Sequence, residues 1–288
     1  MYRNLSPGAV GIPTRSLEEG LHYAQIGEFE GLDLPLGQVR EIVQTEGPEG
    51  VRQRYAEAGI QIGGWGLPVN WRGSDAEFYA SLAQLPEQAR LAAEIGSFRT
   101  MTWVVGWSNE RTRKEQFDFL VKRFRLIAEI LRDYGIALGL EFIGPHTSRK
   151  NARYGCVYTM DAMLAICCAI DTGNVGLLLD SWHWYCCQST VTDLRQLVAE
   201  EVVYVHINDA PAGVHVLDQV DNVRCLPGET GVIDLNGFLG ALKEIGYDGP
   251  VTPEPFSRKL NEMDDKEEAA RLVGGALKSV WKAAGLME

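Results

Sequence analysis

The chain has 288 residues, 45% of them hydrophobic, and 39 acidic against 27 basic side chains give a formal net charge of −12. That length suits one large α/β barrel or two smaller domains, and the charge repels phosphate backbones and anionic lipid, which argues against nucleic acid or a membrane as partner. No apolar run approaches the roughly 18 to 20 residues of a membrane span, and the start, MYRNLSPGAVGIPTRS, has no apolar stretch of a secretory signal, so a cytoplasmic protein is expected.

Short β-rich apolar runs alternate along the chain with longer segments of helical periodicity. In chain order the expected strands are 8–12 (GAVGI), 30–35 (EGLDLP), 60–66 (IQIGGWG), 99–105 (RTMTWVV), 136–142 (IALGLEF), 175–180 (VGLLLD), 202–208 (VVYVHIN) and 249–255 (GPVTPEP). Between the fourth and fifth, Phe117, Leu120, Val121, Phe124, Ala128 and Leu131 recur at three- and four-residue spacing, one face of a helix that Gly135 ends. Cys167 and Cys168 fall inside another helical stretch, TMDAMLAICCAID. Neither this pair nor Cys186-Cys187 has a CxxC spacing, so the cysteines read as small buried hydrophobes, with reactive thiols near Cys186 as the lesser alternative. Before the eighth strand, Asp234 is a plausible N-cap for LNGFLGALKEI, whose stripe of Leu235, Phe238, Leu239 and Leu242 stops at Gly246.

Eight β units alternating with helices over about 250 residues predict an α/β fold, a (β/α)₈ TIM barrel, as a single domain over residues 1–288. The rival, a doubly wound sheet, would announce itself by GxGxxG after its first strand, whereas GAVGIPTRS has two glycines three apart. No phosphate-cradling GxxxxGK[ST] loop and no GxSxG elbow is present. Barrel sites form at the carboxyl ends of strands. Two long loops follow such ends, IGPHTSRKNARYGCVY after the fifth strand and Asp209 to Ile233 after the seventh.

The last four strands end alike. GLEF gives Glu141, LLLD gives Asp180, YVHI gives His206 and TPEP gives Glu254. A closed parallel barrel brings these ends to one mouth, so four residues far apart in sequence are expected to converge. Three carboxylates and one imidazole suit one divalent metal ion, Mn²⁺ first, with Mg²⁺, Co²⁺ or Zn²⁺ as alternatives. The structural readings are salt bridges from Glu141 or Glu254 to Arg149 or Arg258, and Asp180 as an N-cap. Asp209 either caps the next turn or orients His206. Arg149, Lys150 and Arg153 read as a solvated loop face. Trp65, Trp103, Trp107, Trp182 and Trp184 lie near strand ends, where indoles cover the C–H faces of sugars. Trp103 and Trp182 are the chosen candidates for substrate contact, and His146 joins them as an undecided one.

With GLEF, LLLDSWHW, VYVHINDAP, NVRCLPGETGVID and VTPEPF, the chain resembles the xylose-isomerase-like TIM-barrel superfamily. Within it the sequence is most similar to the sugar-phosphate isomerase/epimerase group, which includes ketose 3-epimerases and inosose dehydratases. The resemblance implies one divalent metal on Glu141, Asp180, His206 and Glu254, and substrate contacts from His183, of D-x-x-H, and Arg224, before PGE. It also implies a small sugar or polyol substrate, and a homodimer or homotetramer. The expected chemistry is isomerisation or epimerisation of a ketose or keto-sugar through an enediolate, with Glu141 and Glu254 as the acid/base pair. A dehydratase or lyase acting on a keto-inositol or 3-keto-glycoside is the alternative, and a non-catalytic sugar-binding barrel is a third reading. The ketose 3-epimerases usually carry a second glutamate shortly after the strand-five acid. Here the segment is FIGPHTSRKN, so substrate and reaction stay open.

Overall fold

The structure, a computed structural model, describes residues 1–287. Eight positions around one ring are filled by β1 (Tyr2–Leu5), β2 (Gly31–Leu32), β3 (in two pieces, Gln61–Ile62 and Trp65–Gly66), β4 (Arg99–Val104), β5 (Ala137–Phe142), β6 (Val175–Asp180), β7 (Val202–Ile207) and β8 (Pro250–Pro253). Neighbours pair in parallel, and the sheet runs from the first piece of β3 through β2, β1, β8, β7, β6, β5 and β4 to the second piece. Both free edges therefore belong to one segment, interrupted at Gly63 and Gly64, and the ring closes there. This is the TIM barrel expected from the sequence.

Helices such as Leu17–Ile26, Arg113–Arg132, Met160–Ile170, Leu235–Glu244 and Lys266–Ala283 follow the strands and pack on one another around the ring. The helix after β4 starts at Thr112, whose hydroxyl accepts from Glu115 N while Glu115 reaches back to the cap, and its face of Leu120, Phe124, Ile127 and Leu131 is buried. Asp234 caps the helix at Leu235, accepting from Gly237 N. The middle strands β6 and β7 are covered on both faces, which is why LLL and VVYV are continuous apolar runs. No helix among the described residues is long and apolar enough to cross a membrane. All six cysteines are free, and burial pushes the Cys186 thiol upward, away from thiolate reactivity.

The first strand lies earlier than the sequence pattern predicts. Residues 7–10 form a 3₁₀ turn with Pro7 at its start, ended by Gly11 at φ 72°, and β1 is the preceding YRNL. An apolar search misses it because Arg3 and Asn4 are both buried. Asn4 belongs to a polar layer inside the barrel. Its Nδ2 donates to Asp33 Oδ1 at 2.8 Å and lies 3.0 Å from both Tyr204 OH and Thr252 Oγ1. Tyr204 OH in turn donates to Asp33 at 2.8 Å and sits 2.6 Å from Thr252 Oγ1.

The glycine pair in β3 is what lets this layer fit. A Cβ on Gly63 would lie 2.5 Å from Asn4 Oδ1 and 2.8 Å from Asp33 Oδ1, and one on Gly64 would lie 2.9 Å from the Tyr204 ring. Gly63→Ala is expected to destabilise the barrel by about 1–3 kcal/mol through overpacking, read as a lowered midpoint of chemical unfolding. An unchanged midpoint would show that the layer has slack at that point.

Candidate metal centre

Glu141 is the fifth residue of β5, Asp180 the last of β6, His206 the fifth of β7, and Glu254 follows β8 directly. Strand pairing sets His206 beside Asp180 on one side and Thr252 on the other, so the four side chains reach one rim. One donor atom from each lies within 4.8 Å of all the others. His206 Nδ1 stands 3.2 Å from Glu141 Oε1, 3.4 Å from Glu254 Oε2 and 3.9 Å from Asp180 Oδ2. Metal–oxygen bonds of about 2.1 Å put adjacent ligand atoms about 3 Å apart and opposite ones about 4.2 Å apart. The donor set and its spacing therefore fit one small divalent ion.

Buried carboxylates at this spacing demand positive charge. Burial alone would lower His206, yet Glu254, Glu141 and Asp180 outweigh it and hold the imidazole up at about 9. Burial raises Glu141, which leaves it readier to take a proton than an ordinary glutamate. Asp180 goes the other way. Burial opposes its charge, but Arg224 and the two histidines draw it down to about 2.

Arg224 is held from several directions. Its Nη1 donates to Asp180 Oδ2 at 2.8 Å and Glu254 Oε2 at 3.0 Å, and Nη2 donates to Asp221 Oδ1 at 2.9 Å. The guanidinium lies between the rings of Phe256, at 4.6 Å, and Trp182, at 4.9 Å. Phe256 takes φ 41°, an uncommon conformation for a bulky residue, just past Glu254. Asn208 links two of the ligands. Its Nδ2 lies 3.3 Å from Asp180 Oδ2, and its Oδ1 accepts from Glu254 N at 2.8 Å. Burial lowers His183 to about 4, so its ring is neutral. Gly144 N and Arg224 Nη2 face its two nitrogens at 3.3 and 3.2 Å, and a neutral imidazole accepts from only one of these donors.

A cavity of about 390 Å³ opens over this rim, with Glu141, His206, Glu254, Asp33, Trp65 and Trp103 among its lining residues. Asp180 is 0% exposed and lies outside the lining. Trp103 is on the wall, whereas His183, Arg224 and Trp182 are buried outside it. His146 is exposed at the start of the short helix His146–Arg149. Arg149 Nη1 donates to Gly144 O and Arg258 pairs with Glu262, so neither is the ion-pair partner of Glu141 or Glu254. Asp209 folds its own loop, with Oδ1 accepting from Ala210 N and Ile233 N and Oδ2 from Thr230 N and Gly231 N. Pattern reading passes over Asp33 and Asn208. Asn208 is signalled only by its place two residues after His206, and Asp33 by following the second strand directly.

The chain matches the family model described as "Xylose isomerase-like TIM barrel" over residues 22–278, and it belongs to that family. A solved xylose isomerase domain protein from Alicyclobacillus acidocaldarius subsp. acidocaldarius superposes with a TM-score of 0.85 at 32% identity, covering 99% of both chains. The IOLI protein with a bound zinc atom shares the fold at a TM-score of 0.79 and 20% identity, again over 99% of both chains. Among curated proteins, inosose isomerase of Bacillus subtilis (strain 168) is 30% identical over 161 residues, 55% of this chain and 52% of that protein. A 3-dehydroshikimate dehydratase of Pseudomonas putida (strain KT2440) is 25% identical over 224 residues, 68% of this chain and 35% of that one. The chain thus spans about half the length, or less, of these curated relatives.

Two outcomes follow for metal binding. His206 holds a proton up to about pH 9, and that proton must leave before Nδ1 can ligate. Apparent Mn²⁺ affinity, followed by calorimetry, is therefore expected to rise with pH between about 6 and 8; a flat profile would show that the surrounding carboxylates do not hold His206 protonated in that range. Asn208→Ala, which frees Asp180 and the backbone of Glu254, is expected to weaken binding by roughly 10- to 100-fold with an unchanged circular dichroism spectrum. Wild-type affinity in that variant would show that the ligands are positioned without it.

Proposed function

We propose that the protein is a divalent-metal-dependent isomerase or epimerase acting on a ketose or keto-sugar, with Glu141 and Glu254 as its acid/base pair and Mn²⁺ as its cofactor. One observation carries this reading. Of the three carboxylates in the metal group, Glu141 and Glu254 line the cavity and Asp180 does not. They come from β5 and β8, the two ends of the ligand-bearing arc, and so approach a bound sugar from different sides. The names of the inosose isomerase and 3-dehydroshikimate dehydratase relatives, and the zinc in the IOLI structure, support metal-assisted chemistry on cyclic or open polyols.

A divalent ion on the four side chains would supply charge that polarises a carbonyl and acidifies the neighbouring C–H. One glutamate removes that proton to give an enediolate. The other returns a proton to the opposite face, giving an epimer, or to the next carbon, giving an isomer. Arg224 fixes Asp180 and Glu254, the His183 ring stands against Arg224 Nη2, and Trp103 covers an apolar face of the sugar. Similarity to the dehydratase supports a second outcome of the same first step, in which the enediolate loses a β-hydroxyl as water.

Proton exchange tests the reading. The Mn²⁺-loaded protein, incubated with free ketoses and inososes in D₂O, is expected to place deuterium on carbon, read by NMR. Glu254→Gln is expected to reduce that exchange by at least about 100-fold. Label with loss of water would select the dehydratase. Binding without any label would leave a sugar-binding barrel and overturn the catalytic assignment.

A further inference from the structure

We propose that the cavity is built for an uncharged polyhydroxylated substrate, and that Asp33, on the part of the ring without metal ligands, receives its distal hydroxyls and rejects an anionic substituent. This rests on the reading of the cavity as the substrate site. It adds a recognition residue and a substrate class that the metal group does not define.

The charge pattern comes first. Asp33, Glu141 and Glu254 line the cavity, and no lysine or arginine does. Arg224, the nearest buried cation, is committed to Asp180, Glu254 and Asp221. Four carboxylates against one guanidinium and one dication leave the mouth net negative, on a chain that is itself at −12. A phosphate or carboxylate entering there meets repulsion through a low-dielectric wall. Arg72 stacks 4.0 Å above the Trp103 ring, but its side chain is exposed and its charge is screened by solvent.

Nor does the long loop after β7, which lies outside the cavity lining, offer an open set of backbone donors. In that loop, four amide N–H groups converge on one anion, and that anion is the Asp209 carboxylate. Clustered N–H groups of this kind are an anion-binding concavity. Here the chain occupies it from within.

The donors and acceptors left over suit hydroxyls. Asp33 directly follows β2, across the ring from β6, and its carboxylate is fixed by Asn4 Nδ2 at 2.8 Å, Gly64 N at 3.1 Å and Tyr204 OH at 2.8 and 2.9 Å. Its carboxylate keeps acceptor capacity toward the cavity. Trp65, on the same wall and 1% exposed, has an Nε1 with no hydrogen-bond partner in the protein. A buried indole N–H normally finds an acceptor, and a substrate oxygen is the one the cavity can bring. A carboxylate and an N–H lining one cavity match the dual donor and acceptor character of sugar hydroxyls.

Calorimetry on the Mn²⁺-loaded protein decides it, with free ketohexoses and inositols titrated against their own monophosphate esters. The free polyols are expected to bind at least tenfold more tightly than the esters. Asp33→Asn should weaken the polyols by about tenfold, the scale of one charged hydrogen bond, and narrow the gap to the esters. Trp65→Phe, which removes only the unpartnered N–H, should weaken the polyols about fivefold and leave the gap intact. Arg72→Ala should change neither. Esters binding as tightly as their parents, or no binding of either class, would overturn the inference. Free polyols that bind selectively but exchange no deuterium would preserve it and remove the catalytic reading instead.

Discussion

Three carboxylates crowded at one buried rim repel one another and lose their water, and the rest of the site is arranged around relieving that. His206 sits among all three, Arg224 bridges two of them, and a divalent ion on the four side chains would complete the neutralisation. Arg224 is held in place by the rings of Trp182 and Phe256 and by an ion pair to Asp221. Phe256, at φ 41° two residues after Glu254, puts its ring against that guanidinium. Removing any one cation would leave an uncompensated charge in a dry place, which costs more than the pair contributes when intact.

The barrel divides its labour around the ring. Strands β5 to β8 bring Glu141, Asp180, His206 and Glu254 to the rim, and the side from β1 to β4 contributes Asp33, Trp65 and Trp103 to the cavity wall. The two halves are joined underneath by the layer of Asn4, Tyr204 and Thr252, in which Tyr204 lies two residues before His206 on β7 and touches Asp33 from β2. The orientation of the recognition carboxylate and that of a metal-binding strand are therefore set by one hydrogen-bonded cluster. The glycine break in β3 exists to give that cluster room.

Much of this could be read from the residues. LLLD is legible because a strand covered on both faces must be apolar until the barrel wall ends, so a terminal aspartate stands out. His206 and Glu141 are legible for the same reason, one residue inside an apolar run. The first strand is not, because Arg3 and Asn4 are satisfied only by partners far away in sequence, including Glu30, Tyr204 and Thr252. Asp33 follows a strand only two residues long, too little pattern to mark it. Arg224 and His183 were legible as members of the site through family resemblance. Their placement outside the cavity lining depends on how a long loop folds over the rim, which spacing along the chain does not encode.

The central claim is that one divalent cation is gripped jointly by the final four strands. Anomalous diffraction from crystals soaked in Mn²⁺ tests it most directly. The account predicts a single strong peak per chain at bonding distance, about 2.0–2.3 Å, from Glu141, Asp180, His206 and Glu254 together. A peak elsewhere, or a rim that stays empty while Arg224 keeps its place between Asp180 and Glu254, would contradict it.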